Sequence, residues 1–226
     1  LFPSGMSAVY SVMNLLRNKC KPHVIVIGLL YSDTYSLLMN LGRSYRWEAE
    51  FVGLDQLESL PQTINSKTAM IFTETITNPL LEIPDLERIG EIASEHCVPF
   101  VVDNTVGTPL NCQPLDYNAD YVIHSTTKYL SGSNDHAGGA VLVKNSMDAN
   151  ALDNFQRCWE MKISHLEAAA LWEYMQDFQE RMERFNNNGT ILADFLAEHF
   201  AVDFVYHPSL STNSSYAEAK KLLKGN

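Results

Sequence analysis

The feature that most constrains the fold is an alternation of short apolar runs with longer amphipathic segments over residues 1–145. The runs occupy residues 23–28 (HVIVIG), 48–54, 68–75, 99–103, 121–125 and 139–143. Several are continuously apolar and rich in β-branched residues, which is typical of strands covered on both faces. Helices are predicted between them at residues 7–17, 34–41 (with Asp33 as N-cap) and 85–96. This alternation predicts an α/β fold with a mostly parallel sheet sandwiched by helices.

The pattern changes near residue 145 and becomes almost wholly helical to about residue 197. We predict a helix at 166–185, an interruption at 186–189 and a second helix at 190–200, followed by a strand-like run at 202–205. The chain thus divides into a large ligand-binding α/β domain (1–145), a helical linker (146–200) and the start of a truncated C-terminal domain (201–226). Because a helix opens at residue 5 and the last element is unfinished, we expect the chain to be a fragment of a longer protein that lacks its N-terminal arm.

Composition and charge exclude several kinds of partner. The 226 residues carry a net charge of −11, which argues against a nucleic-acid partner. No stretch approaches the roughly 20 apolar residues of a membrane span, so no membrane association is expected. The chain opens on Leu1-Phe2-Pro3 without a visible signal peptide. These observations predict a cytoplasmic protein.

The cysteines and histidines do not form a pattern typical of a metal site. The four cysteines are widely separated and form no CxxC pair, so we expect buried free thiols in a reducing compartment and no metal. His124 lies within an apolar run and is expected to be a satisfied core residue, whereas His136 is expected to be a solvated loop residue. The cysteines are Cys20, Cys97, Cys112 and Cys158.

Two residues with chemical potential follow predicted strands. Lys128 comes just after the run 121–125, in Ser125-Thr126-Thr127-Lys128, and Asp103 ends the run 99–103. Open α/β sheets bind ligands at the carboxyl ends of their strands, so both side chains are expected at one site. Alone, Lys128 would more often be a surface residue, and Asp103 would as often be a helix cap. Together they suit a lysine nucleophile and a carboxylate that stabilises a cationic ring nitrogen.

Further segments provide the other parts of a pyridoxal phosphate (PLP) site. Ser4-Gly5-Met6 opens a helix, where free amides and the helix dipole suit a phosphate. Tyr31 follows the run 23–28 and would stack on the ring, although a packing tyrosine is the alternative on position alone. Asn78, held extended by Pro79, would bond the phenolic oxygen. In this prediction Lys128 forms the Schiff base, Asp103 keeps the pyridine nitrogen protonated, and Gly5, Met6, Ser125 and Thr127 hold the phosphate.

These residues, in this order, resemble the trans-sulfuration (Cys/Met metabolism) family of PLP enzymes. The resemblance implies the aspartate aminotransferase-like fold (fold type I), PLP as cofactor and Thr105 at the cofactor. It also implies a homodimer or homotetramer with shared active sites, in which a neighbouring subunit's N-terminal arm reaches the phosphate and a C-terminal domain binds the substrate carboxylate. The matching segments are Ser4-Gly5-Met6, Tyr31 to Thr34, Glu74 to Pro79, Asp103-Asn104-Thr105, Ser125 to Tyr129, and Gly138-Gly139.

Within the family, residues 2–8 and 31–34 look most like the fungal type of cystathionine γ-synthase. That resemblance implies a transferase of methionine biosynthesis and cysteine metabolism, which joins an O-acylhomoserine to cysteine by γ-replacement. Lys128 would move protons and Tyr31 would assist. The chain departs from the family after the sheet, where Ser164 to Glu167 and Glu173 to Met175 replace its usual Ser-Pro-x-Asp and Arg-Gly-Leu. Elimination by a cystathionine or methionine γ-lyase, and a non-catalytic relative, therefore stay open.

Overall fold

The structure is a computed structural model that describes residues 1–17 and 20–224. Six strands form its sheet: β1 (His23–Ile27), β2 (Glu48–Val52), β3 (Thr68–Glu74), β4 (Phe100–Asp103), β5 (Tyr121–Ser125) and β6 (Gly139–Val143). The α-helices are α1 (Gly5–Leu16), α2 (Ser32–Tyr45), α3 (Leu60–Thr63), α4 (Leu86–Glu95), α5 (Thr108–Asn111), α6 (Ser146–Cys158), α7 (His165–Tyr174), α8 (Phe178–Ala197) and α9 (Tyr216–Leu222).

The strands form one sheet in the order β2-β1-β3-β4-β5-β6. Strands β1 to β5 pair in parallel, and β6 pairs antiparallel with β5. The carboxyl ends of β3, β4 and β5 therefore meet at one edge of the sheet. In that edge Glu74 is the register partner of Asp103, and Ser125 ends the next strand. This confirms the predicted mostly parallel sheet.

Two apolar cores lie on the two faces of the sheet, because alternate strand residues point to opposite sides. One core contains Ile25, Ile71 and Val102 and packs against α4. The other contains Val24, Phe72 and their neighbours, and α1 and α2 cover it. Burial of both faces explains why the strands read as continuous apolar runs rather than alternating ones.

The start of α1 is fixed by a cap and by the sheet. Ser4 and Ser7 form a capping box, in which each side-chain oxygen accepts a hydrogen bond from the other residue's amide, at 3.0 and 2.9 Å. Just before the cap, Phe2 and Gly139 exchange two backbone hydrogen bonds of 2.7 and 2.9 Å. These bonds hold the N-terminus of α1 beside β5 and β6.

Three local predictions were wrong. The helical break lies between Tyr174 and Phe178, and α8 continues through residues 186–189. Within this segment the side-chain amides of Asn186 and Asn111 exchange hydrogen bonds of 2.8 and 3.1 Å, which connect α8 to α5. Residues 202–205 are irregular, with no described neighbouring strand to pair them. Asp33 is not the cap of α2, since the helix begins at Ser32 and Asp33 lies in its first turn.

The last described segment packs onto the α/β region. Ala219, Leu222 and Leu223 belong to the same core as Ile25 and Ile71. The division of the chain at residues 145 and 200 stays a prediction.

The exposure of the cysteine side chains corrects one further prediction. Cys112 is buried as expected, but Cys20, Cys97 and Cys158 are exposed, so the expectation of buried thiols was wrong for those three. Within residues 1–17 and 20–224, no group of three or more His, Cys, Asp or Glu side chains is arranged to hold a metal ion. A search of the same residues for a helix long and apolar enough to cross a membrane finds none.

Candidate active site

A cavity of about 660 Å³ opens between the carboxyl ends of the central strands and the N-terminus of α1. This is where an open parallel sheet is expected to bind its ligand. All the site residues predicted from the sequence lie in its lining, although they come from distant parts of the chain. They are Gly5, Met6, Tyr31, Asn78, Asp103, Thr105, Ser125, Thr127 and Lys128.

One end of the cavity suits an anion. The cap of α1 uses the amides of Ser7 and Ala8, and no described residue bonds the amides of Gly5 or Met6. Free amides and the positive end of the helix dipole both favour a phosphate there. A Cβ on Gly5 would lie only 2.7 Å from the Cβ of Ser125, so the close approach of α1 to β5 requires glycine. The hydroxyl of Thr127 stands beside this end, where it accepts a hydrogen bond of 3.1 Å from the Gly138 amide.

Asp103 contributes a carboxylate to the cavity lining. Its Oδ1 accepts hydrogen bonds from the backbone amide and the hydroxyl of Thr105, at 2.9 and 2.6 Å. The same hydroxyl accepts a hydrogen bond of 2.8 Å from the Ser125 amide, so Thr105 joins the ends of β4 and β5. Burial raises the pKa of Asp103, and the two bonds from Thr105 oppose that rise. A cationic ring nitrogen beside this group would compensate its charge.

Glu74 is a second buried carboxyl group in the lining, and it was missing from the predicted site. Burial raises the pKa of Glu74 to about 8, and the nearby charge of Asp103 adds to this effect. Backbone amides of Tyr31 and Asn78 act in the opposite direction, and the Tyr31 amide lies 2.6 Å from Oε1. Burial thus favours the protonated form of both carboxyl groups, and the nearby charge of Asp103 favours a proton on Glu74 at neutral pH. The position of Glu74 at the end of strand β3, level with Asp103, was the signal that could have identified it as a site residue.

Tyr31 and Lys128 are exposed residues of the cavity lining. Tyr31 is 43% exposed, so its ring is available to a ligand in the cavity. Its hydroxyl donates to Asp33 at 3.0 Å, and that hydrogen bond raises the pKa of the phenol. The Lys128 amine donates to Oδ1 of Asn134 at 3.3 Å. Asn134 lies in an irregular loop, and no sequence pattern pointed to it.

Two histidines outside the cavity differ from expectation. His136 is 5% exposed rather than solvated, and its Nε2 lies 3.3 Å from the Thr126 hydroxyl. His124 is buried as expected, but its Nδ1 has no hydrogen-bond partner among the described residues. Burial lowers the pKa of His124 to about 4, so the ring is neutral at physiological pH.

The residues present fit a PLP molecule. Unbonded amides at a helix N-terminus, the carboxylate of Asp103 and the amine of Lys128 belong to the lining of one cavity. The lining contains one cationic side chain among the described residues, Lys128. A phosphate dianion bound at α1 is therefore only partly compensated by this cavity.

Comparisons with known proteins point to one family. A family model described as Cys/Met metabolism PLP-dependent enzyme matches residues 1–226. Cystathionine gamma-synthase of Mycobacterium leprae is 33% identical over 99% of this chain and 58% of its own length. Cystathionine gamma-lyase of Bacillus subtilis is 34% identical over 97% of this chain and 57% of its own length.

A solved structure shows the same fold. The putative O-acetylhomoserine (thiol)-lyase of Campylobacter jejuni superposes with a TM-score of 0.93 at 25% identity. The match covers 100% of this chain and 64% of the solved chain, which contains N'-pyridoxyl-lysine-5'-monophosphate. The chain thus spans less than two thirds of the length of each of these proteins.

Proposed function

Because the chain belongs to the Cys/Met metabolism family of PLP-dependent enzymes, its fold is that of fold type I and its cofactor is PLP, and we propose that the protein is a trans-sulfuration enzyme that joins an O-acylhomoserine to cysteine. One observation carries the proposal: the residues expected to bind and use the cofactor come from five segments of the chain and line one cavity.

The chain's own residues would hold the cofactor at both ends. Bound PLP supplies an electron sink that stabilises negative charge on the carbon atoms of an amino-acid substrate. The amides of Gly5 and Met6 would bind its phosphate, with Ser125 and Thr127 beside them, and Lys128 would hold it covalently. Asp103 would pair with the ring nitrogen, Thr105 would keep Asp103 in place, and Asn78 would bond the phenolic oxygen.

The same site can move protons. The Lys128 amine would remove protons from the substrate at Cα and Cβ and return them to the same carbons after the acyl group has left as a carboxylic acid and the cysteine sulfur has added. Asn134 contacts that amine through its side-chain oxygen. Tyr31 would cover the ring and exclude water from one face. Its hydroxyl would have to leave Asp33 to accept a proton, because the present contact stabilises the protonated phenol. Tyr31 is therefore proposed to assist Lys128 rather than to act as the main base.

The choice of γ-replacement rests on the likeness of residues 2–8 and 31–34 to the fungal synthases. Relatives named as synthase and as lyase are similarly identical to this chain, so the reaction itself is a proposal. We expect the intact protein to convert O-acylhomoserine and cysteine into cystathionine, as identified by mass spectrometry. Formation of 2-oxobutanoate and ammonia at the same rate with and without cysteine would establish elimination instead. A colourless protein that forms neither product would be the non-catalytic relative.

The assembly is proposed from the charge of the site. Since Lys128 is the single cationic side chain in the described lining, we propose that a second subunit supplies further positive charge to the phosphate, in a homodimer or homotetramer. The cytoplasmic location remains a prediction.

A further inference from the structure

Arg181 lies outside the cavity, yet it contacts the turn that carries Lys128. This turn, Thr126–Leu130, follows β5 directly. The Nη2 atom of Arg181 donates to the carbonyl oxygens of Leu130 and Tyr129, at 3.0 and 3.4 Å. Its Nη1 atom donates to the carbonyl of Tyr174 at 3.1 Å and pairs with Asp177. One guanidinium thus connects the Lys128 turn to the end of α7 and the start of α8.

The burial of Arg181 is costly, which indicates a specific use. The residue is only 8% exposed, and its Nε has no partner among the described residues. Buried charges usually persist only where hydrogen bonds compensate them. Here the compensation comes mainly from backbone carbonyls, and the carboxylate of Asp177 is largely exposed.

The backbone is shaped around this guanidinium. Gly132 follows the Lys128 turn with a φ of +81°, and a Cβ at that position would overlap the Nε and Cδ atoms of Arg181. The Gly132 amide in turn donates to the Lys128 carbonyl at 2.8 Å. Arg181 therefore packs directly against the backbone that follows the Lys128 turn.

The two sides of the Lys128 turn are held by different means. On the cavity side the Thr127 hydroxyl bonds to Gly138. On the far side the carbonyls of Tyr129 and Leu130 carry the partial negative charge of a helical end, which a cation stabilises. Lys128 lies between these supports, with backbone angles (φ −88°, ψ −115°) that leave the helical range. Its direction therefore depends on both neighbours.

We propose that Arg181 is a positioning residue for Lys128, which fixes the carbonyls after the lysine so that its amine points into the cavity. The inference rests on the proposed function, because it assigns Arg181 to the placement of the reacting amine. A planar fork can hold two carbonyls at fixed angles, whereas a lysine ammonium cannot, so the geometry requires arginine in particular.

The test uses the intact protein and three variants: Arg181→Met, Arg181→Lys and, as a matched control, Arg184→Met. Arg184 lies on the same helix but is exposed. Each protein is saturated with PLP and reduced with borohydride over a range of pH, and the label on the peptide that contains Lys128 is quantified. Non-covalent PLP affinity, the unfolding temperature, kcat and KM are measured in parallel.

We expect Arg181→Met to label Lys128 at least tenfold more slowly and to shift the pH at which labelling is half-maximal, while PLP still binds. The expected fall in kcat is about a hundredfold, with KM within about twofold, as for a reacting group displaced by about 1 Å. Arg181→Lys should recover part of the loss, and Arg184→Met should match the wild type. If Arg181→Met does not fold, Arg181→Lys gives the decisive comparison.

Two results would overturn the inference. In one, both Arg181 variants label Lys128 and turn over like the wild type. In the other, labelling falls only in proportion to PLP affinity and unfolding temperature, which would make Arg181 merely structural. The proposed function would fail in a different way, because wild-type protein would then carry no label on Lys128.

Discussion

Replacing Glu74 by glutamine tests the charge assignment at the base of the cavity. Glutamine keeps the shape of the side chain and an oxygen that can accept the Tyr31 amide hydrogen bond, now 2.6 Å long. It removes only the titration of the carboxyl group. The variant therefore isolates the effect of a buried proton beside Asp103.

The magnitude follows from the pKa. Burial and the charge of Asp103 raise the pKa of Glu74 from 4.5 to about 8 in the folded protein. Each unit corresponds to about 1.4 kcal/mol, so the whole shift amounts to at most about 5 kcal/mol. The folded state holds a proton that the unfolded chain releases. This contribution to stability is therefore fully present below pH 4.5 and is lost as the pH rises through about 8.

The assay is chemical unfolding of cofactor-free protein between pH 5 and pH 8.5. We expect the wild type to lose about 3–5 kcal/mol over this range through Glu74, and Glu74→Gln to lack that loss. Glu74→Gln should then be the more stable protein at pH 8.5 and nearly equal to the wild type at pH 5. Glu95→Gln, at an exposed position on α4, is the control and should follow the wild type. Parallel pH curves for wild type and Glu74→Gln would refute the assignment of the proton to Glu74.

Four further predictions concern the cofactor. The intact protein should be yellow, and borohydride should fix PLP on Lys128; a label on another lysine would contradict the assignment. Asp103→Asn should retain the fold and the cofactor but slow proton removal at the substrate Cα severely, since an unprotonated ring withdraws electrons poorly, whereas near-normal turnover would make Asp103 structural. Gly5→Ala should weaken PLP binding about tenfold or more, because the new Cβ would lie 2.7 Å from that of Ser125 and would displace the amides that face the phosphate. Gly189→Ala is the control, because a Cβ at that position has room within α8, and it should bind PLP normally. Residues 1–226 alone should bind PLP weakly and not turn over substrate, as measured by sedimentation and a turnover assay; a monomeric chain with full activity would overturn the shared-site proposal.

The positions of the main site residues could be predicted because a parallel sheet brings strand ends together. Asp103 and Ser125 each end a recognisable apolar run, and parallel pairing places those ends at one edge. A helix was predicted to open at Ser4-Gly5-Met6, and the structure shows Ser4 as its N-cap. Local sequence was therefore sufficient to predict the positions of the residues that the parallel sheet brings to one edge.

Other contacts depend on tertiary packing that no local pattern shows. Asn134 reaches Lys128 through a loop whose path is fixed by its surroundings rather than by its composition. The helical segment 186–189 looked like a break, but it lies within α8 and Asn186 bonds to the distant Asn111. Arg181 looked like one more charged helix residue, although its guanidinium is buried against distant carbonyls. Asn186 and Arg181 bond to residues far along the chain, whereas Asn134 reaches Lys128 across a loop of only six residues.

Phe2 precedes every strand of the described sheet in the chain, yet its backbone partner is Gly139, the first residue of the last strand. Bringing such distant residues together costs loop-closure entropy before their contacts can form. Contacts between residues so far apart in the sequence therefore slow folding. We expect the start of α1 to take its final place late in folding, after β6 has joined the sheet. The amides that face the phosphate would then also be organised late. A chain stalled before β6 would contain the Lys128 turn but would lack the Gly139 partner of Phe2, so we expect cofactor capture to mark completion of the sheet.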